Sequence, residues 1–329
     1  MKLDKTQLSK IIHNVFSYDY DENDNLHFSR FSESQKESYR KESPSWLISV
    51  NASSSVTFDF ISDSEYVLLK FDPCAGSSRT MPGFDLYVDG VFCQHKTFEN
   101  LGTKTVSFSL PEGEHRITVY FPWSVETVVK EVHLSDGAII KEIEKTRKVI
   151  FLGDSITQGY VAECPSLSYV NQVANETDSE VLNQGISAYY FSPNSIDETL
   201  ISYNPDVIVI AYGTNDYTGY DDKKEFEKAA TAYVEKLVSL FPHTRIIGLL
   251  PVYRNDENKQ AREKYRDYTF EDSRGILRSI YEKHENVYVL NETGIPRILR
   301  AFVSDYLHPN DFGFTFMAKS IAKAILKNG

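Results

Sequence analysis

Apolar and polar residues alternate along the first half of the chain with a period of two, the pattern of half-buried strands. Val56, Phe58 and Phe60 share one face, as do Val106, Phe108 and Leu110, and then Ile117, Val119 and Phe121. Two further runs, 84–88 and 91–93, flank Asp89-Gly90. That pair signals a tight hairpin, because a two-residue turn needs positive φ at both positions. More strands are expected at 46–50, 66–71 and 128–134. About eight short strands separated by polar turns predict an all-β sandwich of jelly-roll type. Ahead of them Leu8, Ile11, Ile12 and Val15 keep helical spacing, which predicts a short helix or an ordered arm.

The rhythm changes across the charged stretch 139–148. Beyond it, continuous apolar runs at 149–152, 181–183, 207–212, 246–250 and 287–290 alternate with helical patterns. Phe226, Ala229, Ala230, Tyr233, Leu237 and Phe241 line one helical face, and Phe314, Met317, Ile321 and Ile325 another. Strands buried on both sides and separated by helices predict an α/β fold with a parallel five-stranded sheet covered on both faces. Two domains are therefore expected, an all-β one over 1–143 and an α/β one over 144–329.

Composition narrows the functional classes. With 329 residues, 41% of them hydrophobic, the chain can bury a substantial core. A formal net charge of -12 with no basic patch argues against a nucleic-acid partner. No stretch approaches the ~20 apolar residues of a membrane span, so no membrane partner is expected. Cys74, Cys93 and Cys164 are widely spaced and odd in number, which favours a reducing compartment over a disulfide framework. Charges interrupt every apolar run in residues 1–20, unlike a secretory leader, so a cytoplasmic location is expected. The seven histidines other than His308 are scattered and show no metal-ligand spacing. Nothing in the sequence speaks to oligomeric state.

In an open parallel sheet, ligands bind beyond the carboxyl ends of the strands. The loops expected there are Gly153-Asp154-Ser155, Asn183-Gln184-Gly185 and Gly213-Thr214-Asn215-Asp216, joined by Asp305-Tyr306-Leu307-His308 before the last helix. These residue types suit acyl transfer. A serine hydroxyl needs a base to take its proton, and His308 can be that base. Asp305, three residues earlier, can hold the imidazole in one tautomer and stabilise its cation. Ser155 at a helix N-terminus, Gly185 in a close turn and the Asn215 amide can supply donors to an oxyanion. Asp154 and Asp216 read as structural carboxylates that accept backbone N–H groups.

These four blocks, in this order, resemble those of the GDSL or SGNH hydrolases over roughly residues 149–329. The resemblance implies a flavodoxin-like α/β/α sandwich with strand order 2-1-3-4-5. It implies Ser155 as nucleophile, His308 as base and Asp305 as its orienting partner. It further implies an oxyanion hole of the Ser155 and Gly185 N–H groups with the Asn215 side chain, and chemistry that needs no metal or organic cofactor. The chain departs from many relatives after Gly185, where it reads Ile186-Ser187-Ala188-Tyr189-Tyr190 and they have a further glycine, so the Gly185 loop is expected to sit differently. In the first half, Gly83-Phe84-Asp85-Leu86-Tyr87 resembles the Gly-x-Asp-Leu-Tyr signature of sandwich domains that precede some of these hydrolases. The two-domain order is similar to that of carbohydrate esterases, which implies a carbohydrate or other small-molecule ester as substrate, with O-acetyl groups foremost.

Tyr189, Tyr190 and Tyr217 flank the second and third blocks and are candidates for stacking on a sugar, with plain core packing as the alternative. Arg79-Thr80-Met81-Pro82 is a candidate loop to the catalytic rim. Three other functions compete. A lipase or acyl-thioesterase calls for an apolar groove or Gly-hinged lid that the loops do not show. A carbohydrate-binding protein with an inert α/β half leaves the intact Ser155, Asn215, Asp305 and His308 without purpose. A nucleotide-binding domain lacks its glycine-rich fingerprint in the first strand-to-helix turn.

Overall fold

The alternating segments of the first half form two antiparallel sheets that face each other through their apolar sides. The structure, a computed structural model, describes residues 1–74, 76, 83–99, 102–256, 259, 261, 263 and 268–327. The candidate loop Arg79-Thr80-Met81-Pro82 lies outside the described residues. In chain order the first strands are Ile12–His13 (β1), Ser17–Tyr20 (β2), Leu26–Ser29 (β3), Thr57–Ser62 (β4), Tyr66–Cys74 (β5) and Gly83–Val88 (β6). Val91–Thr97 (β7), Lys104–Ser109 (β8), His115–Tyr120 (β9), Glu126–Leu134 (β10) and Lys141–Glu142 (β11) follow. One sheet runs β1-β4-β9-β6-β7, with β11 also paired to β4, and the other runs β2-β3-β10-β5-β8. Phe58, Phe84 and Val119 from the first meet Leu69, Phe108 and Val132 from the second in one buried core. Asp89 and Gly90 turn between β6 and β7 with φ of 51° and 77°.

The polar positions of this alternation do not face water throughout. Thr57, Asp59, Asp85 and Thr118 are buried, and the face that carries them packs on the second half of the chain. There Asp59 pairs with Lys145, Asp85 accepts the Ser166 N–H at 2.8 Å, and the Tyr120 hydroxyl donates to Asn175 at 2.7 Å.

One expectation holds and one changes. The helical spacing around Leu8 yields a short helix, Lys5–Ser9 (α1), capped by Asp4, after which Ile12 already pairs with Phe58 in β4. Residues 46–50, expected as a strand, are helical. They follow helix Glu33–Glu42 (α2) and form Trp46–Asn51 (α3). A short apolar run fits either structure, and tertiary contacts decide it. Here Trp46 and Val50, one turn apart, both pack on the core of the second half, Trp46 edge-on to Tyr189. The freed carbonyls of Ser49 and Val50 accept from the buried Arg30 guanidinium instead of a neighbouring strand.

The second half is a three-layer α/β unit. Its parallel strands are Arg147–Gly153 (β12), Ser179–Gly185 (β13), Val207–Ala211 (β14), Arg245–Leu249 (β15) and Val287–Leu290 (β16), in the order β13-β12-β14-β15-β16. This is the expected 2-1-3-4-5 sequence. The first of them, β12, leads into the short helix Ser155–Gln158 (α4). Helices Tyr169–Thr177 (α5), Thr214–Gly219 (α6), Lys223–Leu240 (α7), Phe270–Tyr281 (α8) and Asp311–Leu326 (α9) follow. One face of the sheet is covered by α5 and α9, and the other by α7 and α8 together with α2 and α3. Strand β12 lies beside both β13 and β14, so chain direction across the sheet reverses around it, and Ser155 sits at that crevice.

Candidate active site

Ser155 is held at the turn from β12 into α4. Asp154 caps α4, its Oδ1 accepting the Ile156 N–H at 2.9 Å, and Gly159 ends the helix at a φ of 97°. Gly153 is required by close packing: a Cβ there would stand 2.0 Å from Thr157 Oγ1. Asp154 is buried, and that burial pushes its carboxyl up to about 6. Its role is the expected one of accepting a backbone N–H.

His308 and Asp305 come from the turn before α9. The Val303 N–H donates to the His308 carbonyl at 3.0 Å and the Asn255 N–H to that of Tyr306 at 3.0 Å, and Asn310 caps the helix. Across the rim, Ser155 Oγ and His308 Nε2 are 2.8 Å apart, and His308 Nδ1 lies 2.7 Å from Asp305 Oδ2. Asp305 Oδ1 accepts the Leu307 and His308 N–H groups, each at 2.9 Å. Burial raises the Asp305 carboxyl. The hydrogen bonds from the His308 ring and from the two N–H groups outweigh it and hold the carboxyl at about 2. Asp305 is thus ionised at neutral pH, and its Nδ1 contact leaves Nε2 facing the serine. The Tyr160 ring lies 4.8 Å from the His308 ring and restricts its rotation.

Asn215 stands in α6, after Gly213 with a φ of 116°. Asp216 clamps this turn, accepting the Gly213 N–H at 3.1 Å and the Phe191 N–H at 2.9 Å, which ties the second block to the third. Burial pushes the Asp216 carboxyl up to about 7. The Asn215 amide donates one N–H to the Tyr189 carbonyl at 2.9 Å, leaving the other for the rim. Next to it a cleft of about 620 Å³ is lined by Ala188, Tyr190, Asn215, Thr218 and Tyr220.

Gly185 does not hold the position expected of it. Its N–H donates to Asn183 Oδ1 at 2.9 Å and so is not available to an oxyanion. Its lack of a side chain serves packing, since a Cβ would stand 2.2 Å from the Gln158 nitrogen. The structure turns attention to Ala188, three residues on. Ala188 adopts a φ of 63°, lines the cleft beside Asn215, and its N–H has no hydrogen-bond partner among the described residues. A left-handed alanine costs about 1–2 kcal/mol, and such strain concentrates at working sites. Ala188 lies within 186–190, the stretch where the chain departs from the family pattern.

Of the three tyrosines, the structure leaves one to a ligand. Tyr189 is fully buried, edge-on to Tyr39 and Trp46, with its hydroxyl on Glu42. Tyr217 is fully buried between Tyr268 and Phe270. Both are packing residues, so the stacking role is corrected for them. Tyr190 stacks on Tyr189 at 4.9 Å and turns its other face to the cleft.

Two arginines support the rim and were not singled out from the sequence. Arg254, buried and bidentate to Asp256 at 2.6 Å, donates to the Thr214 carbonyl at 2.7 Å beneath Asn215. Arg30, also buried, donates to the carbonyls of Asn183 and Gly185 at the end of β13. Isolated arginines carry no motif, and only the fold shows what they hold.

Comparison with known proteins adds three findings. Residues 151–315 match the GDSL-like lipase/acylhydrolase family model. No curated protein matches. Among solved structures, a salicylyl-acyltransferase from a tetracycline biosynthetic pathway is similar over 99% of this chain and 98% of its own, with a TM-score of 0.85 at 19% identity. A family two carbohydrate esterase from Cellvibrio japonicus is similar over 97% and 95%, with a TM-score of 0.63 at 17% identity. One from Clostridium thermocellum, in complex with cellohexaose, is similar over 83% and 92%, with a TM-score of 0.66 at 19% identity. At these identities the likeness is one of fold.

Proposed function

Since the chain belongs to the GDSL-like lipase/acylhydrolase family, we propose that it is a serine esterase that removes small acyl groups, acetyl foremost, from carbohydrate-type alcohols. The observation that carries this reading is the unbroken chain Ser155 Oγ, His308 Nε2, His308 Nδ1, Asp305 Oδ2, with contacts of 2.8 and 2.7 Å. Ser155 Oγ attacks the ester carbonyl carbon while His308 Nε2 takes its proton. The oxyanion that forms is met by the Ser155 N–H, the Ala188 N–H and the free Asn215 N–H. The carbonyl–alkoxide bond then breaks, His308 returns the proton to the leaving alcohol, and the acyl group stays on Ser155. Water, deprotonated by His308, repeats the attack and frees the acid.

The carbohydrate component rests on the fold shared with family two carbohydrate esterases and on the open cleft walled by Tyr190 and Tyr220, whose rings suit a sugar face. In this reading residues 144–329 are the catalytic unit. Residues 1–143 are a jelly-roll-type sandwich that braces it.

A second reading has one specific support, the similarity over 98% of a salicylyl-acyltransferase. The same acyl-enzyme would then pass its acyl group to an alcohol rather than to water. Hydrolysis of p-nitrophenyl acetate, p-nitrophenyl octanoate and acetylated sugars by wild type and Ser155→Ala tests the proposal. Acetate release from the sugars, lost in the variant, is expected. Equal rates in both proteins would remove Ser155 from the mechanism. Octanoate turned over faster than acetate would replace the substrate class. Product analysis with added alcohols separates transfer from hydrolysis.

A further inference from the structure

A second cluster of reactive side chains lies at the seam between the two halves, outside the Ser155–His308–Asp305 chain. One ligand-type atom from each of Asp85, His95 and Cys164 lies within 4.8 Å of the other two. Asp85 in β6 and His95 in β7 are cross-strand partners, with His95 Nδ1 2.5 Å from Asp85 Oδ1. The imidazole sits where Gly83 has no side chain: a Cβ there would stand 2.4 Å from His95 Cε1. The glycine and the aspartate of the Gly-x-Asp-Leu-Tyr stretch thus both serve this cluster. Cys164 arrives from the opposite half, on the segment that follows α4. That segment is pinned by the Ser166 N–H on Asp85 Oδ2 at 2.8 Å.

The setting is unusual for plain packing. Asp85 has no exposed surface, whereas His95 and Cys164 are partly open, so small solutes reach two of the three side chains. Asp311 and Glu163 add further negative charge, the Glu163 N–H donating to Asp311 Oδ1 at 3.2 Å. A dication answers this concentration of carboxylates, and a coordinating thiol is deprotonated outright.

We propose that Asp85, His95 and Cys164 bind a zinc ion, with water completing a tetrahedral set. One thiolate, one imidazole nitrogen and one carboxylate oxygen are zinc donors, and the soft sulfur selects against magnesium and calcium. Zinc takes its sulfur ligand as thiolate and its imidazole ligand through an unprotonated nitrogen, so metal affinity at such a site falls as pH falls. The Ser166 N–H on the second Asp85 oxygen is the kind of outer contact that orients a ligating carboxylate. The ion would staple the β6–β7 hairpin to the segment that begins with Tyr160, whose ring rests on His308.

The test takes the full chain, stripped with a chelator, and titrates it with Co²⁺ by absorption and with Zn²⁺ by calorimetry. One equivalent is expected, with a thiolate-to-cobalt band in the near ultraviolet that Zn²⁺ displaces. Cys164→Ser should abolish the band, and His95→Gln should weaken binding about tenfold or more. Cys74→Ser and Cys93→Ser should change neither. Alkylation of the wild type, mapped by peptide mass, gives a second readout that needs no variant to fold. Zn²⁺ should protect Cys164 and leave Cys93 reactive. No band in the wild type, a band that survives Cys164→Ser, or equal alkylation of Cys164 with and without Zn²⁺ would overturn the assignment.

Discussion

Both halves of the chain bury polar groups, but the parallel-sheet half leaves some of its donors without a partner at the open rim. On the sandwich side, Arg30 donates to the carbonyls of Ser49, Val50, Ala52, Asn183 and Gly185, and Asp59 pairs with Lys145 and Arg116. These groups are consumed by the fold and hold one half against the other. On the parallel-sheet side, Ser155, Ala188 and Asn215 each end with a donor that the described residues leave unmatched, and these donors stand at the open rim. What separates a holding residue from a reacting one is therefore not burial or charge. It is whether a polar atom is left over for a ligand.

Substitutions on the two sides should fail in different ways. The largest effect is expected from Asp305→Asn, which keeps the shape but presents the wrong His308 tautomer to Ser155. Turnover of p-nitrophenyl acetate should fall about a thousand- to ten-thousandfold with the melting temperature little changed. Asn215→Ala removes one oxyanion donor and should lower kcat about a hundredfold or more, leaving KM within a few-fold. On the sandwich side, Arg30→Met strips five carbonyls of a donor in a dry site. It should cost about 3–5 kcal/mol in urea unfolding while activity per folded molecule changes far less. A stability loss from Asp305→Asn as large as that from Arg30→Met would erase the distinction.

The last effect is one of pH. The Asp216 carboxyl titrates at about 7 in the fold against 3.8 for the unperturbed group, so the native state binds the extra proton between those values. Stability then falls as pH rises from about 4 to about 7. Asp216→Asn should flatten that slope in unfolding titrations. Asp305 has the opposite sign. Its stabilising contribution is present above pH 3.8 and is lost as pH falls through about 2.

Much of this was legible in the chain. Buried parallel strands read as apolar runs, and the loops after them must meet at one edge, so the chain alone brings Ser155, Asn215, Asp305 and His308 to that edge. What was hidden depends on contacts between distant segments. The run at 46–50 has no intrinsic preference strong enough to resist packing on Tyr189. The β2–β3 hairpin lies in a stretch too short and too acidic to alternate visibly. Gly185 and Ala188 could not be told apart without the Asn183 side chain that takes the first N–H. Asp85, His95 and Cys164 sit on two strands and a distant loop, so no ligand spacing joins them along the chain.

The central claim is that Ser155 carries the acyl group, activated by His308. A fluorophosphonate ester reacts with an activated serine and stays attached, so intact mass followed by peptide mapping reads the site directly. The account predicts a single adduct on the peptide that contains Ser155, absent in Ser155→Ala and formed far more slowly in His308→Ala. An adduct on any other residue, or one that forms equally fast in His308→Ala, would contradict it.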